Sequence, residues 1–194
     1  MTAIKSLKET PSQTAGPYVH IGTLPNVAGL DVPHHTVSNR TGLEGGTPVI
    51  IRGVIRDGGG DLVKDAMVEI WQAGPDGRYG PGRTGWARSH TDFETGEFRF
   101  ETVKPGPVPA AGGIAQQAPH ITLMVFARGI NLHLHTRIYF SDEDTANATD
   151  PLLAAIADQD RRNTLLARPD PEGNTTWRFD VQLQGSAETV FLDI

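Results

Sequence analysis

The stretch from His120 to Phe140, HITLMVFARGINLHLHTRIYF, decides the fold. Its halves, HITLMVFARG and LHLHTRIYF, read as paired strands joined through Gly129, Ile130 and Asn131. Side chains two apart on a strand share a face. In the second half Leu132, Leu134, Thr136 and Ile138 therefore point one way, and His133, His135, Arg137 and Tyr139 the other. Two imidazoles on one face have the look of a metal-ligating pair. Arg137 follows on that face, however, and a permanent cation opposes a second one unless carboxylates intervene. The strand carries none, so the polar face reads as a hydrogen-bonding surface, an interface or a pocket wall.

Strands also dominate on either side of this pair. PVIIRGVIRD, the turn GGGD and AMVEIWQA read as a hairpin between Pro48 and Ala73. In EFRFETV, Phe98 and Phe100 alternate with Glu97, Arg99 and Glu101. TTWRFDVQLQG sets Trp177, Phe179, Val181 and Leu183 against Arg178, Asp180 and Gln182, and is expected to form a last hairpin before ETVFLDI closes the chain. One helical stretch interrupts the strands: Asp150 is placed to cap it, Pro151 to open it, and Leu152, Leu153, Ile156 and Ala157 recur near the helical period. The expected fold is mostly β, a β-sandwich of mixed sheets with about eight strands and one short helical segment. The first 47 residues lack a sustained period and read as an irregular N-terminal arm, with the sandwich spanning residues 48–194.

Composition narrows the function. The 194 residues suit one domain, and 22 Gly with 14 Pro favour short strands and turns. A formal net charge of −6 with scattered Lys and Arg argues against nucleic acid. No window has the apolar length of a membrane span, and the start lacks the apolar core of a signal peptide, so the cytoplasm is the expected compartment. With no cysteine there is neither a disulfide framework nor a thiolate metal site.

Most candidate motifs are incomplete. DGGGD and GPGRTG lack the Gly-Lys-Ser/Thr end of a phosphate-binding loop, SDEDTA lacks the spaced ligands of a calcium loop, and no Gly-x-Ser-x-Gly elbow is present. GRYG and APHIT place Tyr79 and His120 beside loops, half of a ferric donor set.

ETPSQTAGPYVHIG, VEIWQA, GEFRFETVKPG, APHITLMVFARGINLHLHTRIYF and GSAETVFLDI together resemble the intradiol ring-cleavage dioxygenase family, specifically the alpha chain of its two-chain enzymes. The likeness runs over nearly the whole chain and is weakest between about Thr23 and Thr47. It implies a β-sandwich and a partner: a homologous beta chain in αβ units that assemble further, with Fe(III) in the complex held by the beta chain through two tyrosines and two histidines. The implied reaction opens 3,4-dihydroxybenzoate with O2 to 3-carboxy-cis,cis-muconate, a step of aromatic catabolism.

The family's ligand positions fall here on Tyr79, Val108, His120 and Thr122, and its catalytic arginine on Gln117. Valine and threonine stand where a tyrosine and a histidine are needed, so no catalytic residue, no metal and no cofactor are expected in this chain alone. The resemblance instead implies a pocket-wall contribution to the beta chain's site from Thr14, Gly16, Pro17 and Tyr18 in the arm and from Arg128, whose guanidinium suits a benzoate carboxylate. Arg137 falls on a pocket glutamine of the catalytic chain, and His133 and His135 are expected near the Tyr79–His120 pocket. Two other readings remain at this point: a self-sufficient intradiol catechol dioxygenase, which needs a second tyrosine from elsewhere, and a non-catalytic β-sandwich binding or scaffold module.

Overall fold

The computed structural model describes residues 18–31, 37–80, 84–130, 132–171, 173 and 175–193. The strands are β1 (Pro48–Arg56), β2 (Met67–Gln72), β3 (Trp86–His90), β4 (Glu97–Val103), β5 (Val108–Pro109), β6 (Gln116–Gln117), β7 (His120–Phe126), β8 (Leu134–Phe140), β9 (Leu166–Pro169), β10 (Thr176–Arg178) and β11 (Val181–Gln182). Short helices lie at α1 (Tyr18–Thr23), α2 (Asp144–Thr149), α3 (Pro151–Ala155) and α4 (Gln159–Asn163).

Nine strands join in the order β11-β1-β10-β9-β8-β7-β2-β3, with β4 on the free side of β1, and β5 and β6 pair separately. The path folds over at β9, whose Leu166 and Ala167 pair with β8 while Arg168 and Pro169 pair with β10. One layer is thus β4-β1-β10 and the other β8-β7-β2-β3. Their inner faces share a single core, in which Ile51, Phe98 and Phe100 meet Val68, Ile70, Leu123, Val125 and Ile138. This is the expected mostly-β sandwich of mixed sheets. The alternation in EFRFETV is seen directly, because Phe98 and Phe100 are fully buried. The His120–Phe140 stretch forms the antiparallel pair β7–β8, in register from His120↔Tyr139 to Val125↔Leu134.

The structure corrects three expectations. The GGGD turn closes locally, with Asp57 Oδ1 accepting from the amides of Gly59 and Asp61 at 2.9 and 3.0 Å, and Arg56 bridges Leu62. The chain then crosses to the other layer, so β1 and β2 are not a hairpin: β4 occupies one side of β1, and β10 with β11 the other. TTWRFDVQLQG has the right period but is not a hairpin strand either. It splits into β10 and β11, both parallel to β1, with Trp177, Phe179 and Val181 in the core. The backbone of Phe179 presses close enough to β1 that a Cβ on Gly53 would stand 1.8 Å from its carbonyl oxygen. Only glycine fits there.

The third correction concerns the single helical segment, which is three short helices, while α1 adds a turn within the arm. Pro151 has no amide to donate, and the residue before a proline prefers extended backbone. Asp150 accordingly sits at φ −65° and ψ 124°, which ends α2 and caps α3. Asp158 repeats the capping role for α4, accepting from the amides of Asp160 and Arg161. Among the described residues, no helix is long and apolar enough to cross a membrane.

Candidate functional site

The register of the outer layer assembles a row of side chains on its solvent-facing side. Trp86, Trp71, Thr122 and Arg137 stand opposite one another on β3, β2, β7 and β8. Two residues further along, His120 faces Tyr139. Beside them β5 and β6 put Val108 opposite Gln117. The loop bearing Tyr79 reaches this place through close backbone packing: the Gly106 amide donates to Gly74 O at 3.0 Å, and Gly77, at φ 72°, leaves no room for a Cβ beside Pro107 O. Tyr79 then stacks on Trp71 with ring centroids 6.0 Å apart and planes 4° from parallel. Tyr79, Val108, Gln117, His120 and Thr122, scattered between positions 79 and 122 of the sequence, are thereby gathered around Arg137.

Arg137 holds the centre. Its Nη1 donates to Gln117 Oε1 at 2.6 Å and to the Tyr139 hydroxyl at 3.3 Å. Tyr139 in turn donates to Asp150 Oδ1 at 3.3 Å. Asp150 is completely buried and also accepts from the amides of Leu152, Leu153 and Ala118. The helix cap anticipated from sequence is therefore also the pillar behind the site. His120 is buried with its Nδ1 2.7 Å from Ala118 O, an arrangement in which Nδ1 donates to the carbonyl. Burial first, and the charge of Arg137 second, hold its imidazole neutral down to about 4. Burial also raises the Tyr79 phenol above its ordinary value, against the lowering effect of Arg137. Tyr139 is pushed up by its burial as well.

These residues do not fit a ferric ion. Val108 has no donor atom, Thr122 has a hydroxyl in place of an imidazole, and burial disfavours the Tyr79 phenolate. Among the described residues there is no group of three or more His, Cys, Asp or Glu side chains able to hold a metal. The guanidinium adds repulsion, on the order of 4 kcal/mol per unit of ionic charge at contact distance and intermediate dielectric.

Of the opening histidines, His135 lies next to Arg137 on the same face of β8; burial, then His133, then Arg137 lower its basicity. His133 turns to Phe126, ring centroids 5.4 Å apart. At about 3.3 Å per residue His135 lies roughly 13 Å, and His133 roughly 20 Å, along the strand from Tyr139, the residue opposite His120.

Arg128 is elsewhere. It sits at the turn after β7, some 26 Å along the strand from His120 at about 3.3 Å per residue, exposed and ion-paired with Asp65. It borders an open concavity of about 710 Å³ that includes Leu62, Lys64, Phe93 and Leu183. Thr14, Gly16 and Pro17 lie outside the described residues. Tyr18 opens α1, whose last residue, Thr23, accepts from Arg88 Nη1 at 2.9 Å and so ties the arm to β3. The sequence reading missed the Trp71 platform, the Asp150 pillar and the Asp65 partner of Arg128. Of these, Trp71 had a visible signal as a large aromatic at an exposed parity of VEIWQA, and Asp150 had one for its capping role alone.

A family model described as Dioxygenase matches residues 26–185. The chain is 45% identical to the protocatechuate 3,4-dioxygenase alpha chain of Pseudomonas putida, covering 98% of each, and 41% identical to that of Burkholderia cepacia, covering 97% of this chain and 99% of the other. To the Burkholderia cepacia protocatechuate 3,4-dioxygenase beta chain it is 31% identical, over 82% of this chain and 73% of that one. Among solved structures, the dioxygenase domain of a dioxygenase and carbohydrate-binding protein fusion from Streptomyces sp. SirexAA-E shares the fold, with a TM-score of 0.60 and 23% identity over 94% of this chain and 100% of that one. A match across most of the sandwich, carried by relatives at full length, has one consequence: the chain belongs to the intradiol ring-cleavage dioxygenase family.

Proposed function

We propose that this chain is the alpha subunit of a protocatechuate 3,4-dioxygenase, a cytoplasmic enzyme of aromatic catabolism. The observation that carries this reading is the 45% identity over 98% of both chains to a protein of that name. The enzyme joins 3,4-dihydroxybenzoate and O2 into 3-carboxy-cis,cis-muconate. Both oxygen atoms enter the product as the bond between the two hydroxylated carbons breaks, so no external reductant is needed. In this reading the Fe(III) is held by the homologous beta chain, since two of the four matching ligand positions here, Val108 and Thr122, have lost the tyrosine and histidine donors. The arm, residues 1–47, packs on that partner, and residues 48–194 form the sandwich. Thr14, Gly16, Pro17 and Tyr18 wall the partner's pocket, and Arg128 faces the carboxylate of its substrate. The exposure of Arg128 beside a wide concavity supports that role, because Asp65 is a partner it can leave.

The test is expression of this chain alone, of the beta chain alone and of the two together, with iron content, visible absorption and O2 uptake on 3,4-dihydroxybenzoate measured for each. Iron, charge-transfer colour and full activity are expected of the pair. Stoichiometric iron and turnover in this chain alone would mark a self-sufficient dioxygenase. Full activity in the beta chain alone would reduce this chain to a scaffold.

A further inference from the structure

The row on the outer face sets an aromatic pair and a cation on either side of a small residue, an arrangement with the form of a slot. Trp71 and Arg137 flank Thr122 from the two adjacent strands. With strands about 4.8 Å apart, their backbones lie roughly 10 Å from each other. The short threonine between two long side chains makes the floor. One wall is aromatic, the Trp71–Tyr79 stack, both rings nearly half exposed at 44 and 46%. The other wall is the guanidinium of Arg137.

That guanidinium is under-satisfied. Its two hydrogen-bond acceptors, Gln117 and Tyr139, are both neutral, and no carboxylate among the described residues ion-pairs with it. Its Nε is buried without a hydrogen-bond partner. The carboxylate behind it, Asp150, is already taken by three amides and the Tyr139 hydroxyl. A guanidinium short of a counter-charge, in a partly desolvated place, is a strong and directional carboxylate receptor.

We propose that this slot binds a small planar carboxylate of the benzoate class, its carboxylate on Arg137 and its ring against the Trp71–Tyr79 stack. Because the slot is built wholly from this chain, its test does not depend on the alpha-subunit reading.

The purified full-length chain, without partner, is titrated with benzoate, acetate and catechol by calorimetry and tryptophan fluorescence. Benzoate is expected to saturate a single site. Acetate, which lacks the ring, and catechol, which lacks the carboxylate, are each expected to bind at least about tenfold more weakly. Arg137→Gln is expected to lower benzoate affinity roughly 10- to 150-fold, the worth of one charge-assisted contact. Thr122→Leu leaves the charge in place, fills the floor and is expected to cost about tenfold or more. It decides the matter if Arg137→Gln perturbs folding by circular dichroism. No saturation by benzoate up to about 10 mM, undiminished binding in both variants, or catechol binding as tightly as benzoate would each overturn the proposal.

Discussion

Replacing Asp150 with alanine tests the pillar behind the site. The carboxylate is fully buried and takes hydrogen bonds from Leu152 N at 2.8 Å, Leu153 N at 3.0 Å, Ala118 N at 2.8 Å and the Tyr139 hydroxyl at 3.3 Å. Loss of a helix N-cap costs about 1 kcal/mol. A buried donor left without an acceptor costs about 1–3 kcal/mol, and here both the Ala118 amide and the Tyr139 hydroxyl are stranded. Allowing for local relaxation, Asp150→Ala is expected to lose roughly 3–5 kcal/mol. In a chain of this size that lowers Tm by roughly 6–20 °C. Asp150→Asn keeps an oxygen for the cap but turns an amide group toward the Ala118 N–H, so it is expected to fall about midway. Urea denaturation followed by circular dichroism gives the differences by linear extrapolation. A loss below about 1 kcal/mol for the alanine variant would refute the pillar. Asparagine as harmful as alanine would refute the division between cap and buried network.

Three further outcomes follow from particular side chains. His120 stays neutral in the folded protein down to about 4, whereas the unfolded chain takes up that proton near 6.5. Its contribution is therefore intact above about pH 6.5 and is lost as pH falls toward 4, by roughly 3 kcal/mol in total; His120→Gln is expected to flatten stability against pH in that window, and an unchanged slope counts against the buried neutral imidazole. Gly53→Ala drives a methyl to 1.8 Å from Phe179 O, so a loss of more than about 3 kcal/mol or no soluble protein is expected, and an unaltered Tm contradicts the close approach. In the complex with the beta chain, Arg128→Ala is expected to raise KM for 3,4-dihydroxybenzoate by roughly 10- to 150-fold with a smaller change in kcat; an unchanged KM removes Arg128 from the pocket.

Local pattern alone determined a good part of this protein. The two-residue period marks β4, β7 and β8, and the parity of LHLHTRIYF turns Thr136 and Ile138 inward and Arg137 outward, because side-chain direction along a strand is a property of the strand itself; Leu132, expected on the inward face, precedes the strand and is exposed. Asp150 before Pro151 announces a helix start for an equally local reason, a missing amide and a capping carboxylate. The family resemblance, rather than local pattern, implies that Val108 and Thr122 fall on ligand positions whose tyrosine and histidine they replace. Strand partnership was not legible. The turn GGGD looks like a hairpin, yet β1 pairs with strands centred on Phe100 and on Trp177, since both its edges are claimed by segments far along the chain. The gathering of Tyr79, Val108, Gln117 and His120 around Arg137 was equally hidden, because no spacing in sequence encodes which strands lie side by side. Sequence decided which chemical groups are present and which way each strand points them. Only the register between distant strands decided that the guanidinium of Arg137 stands where those groups meet.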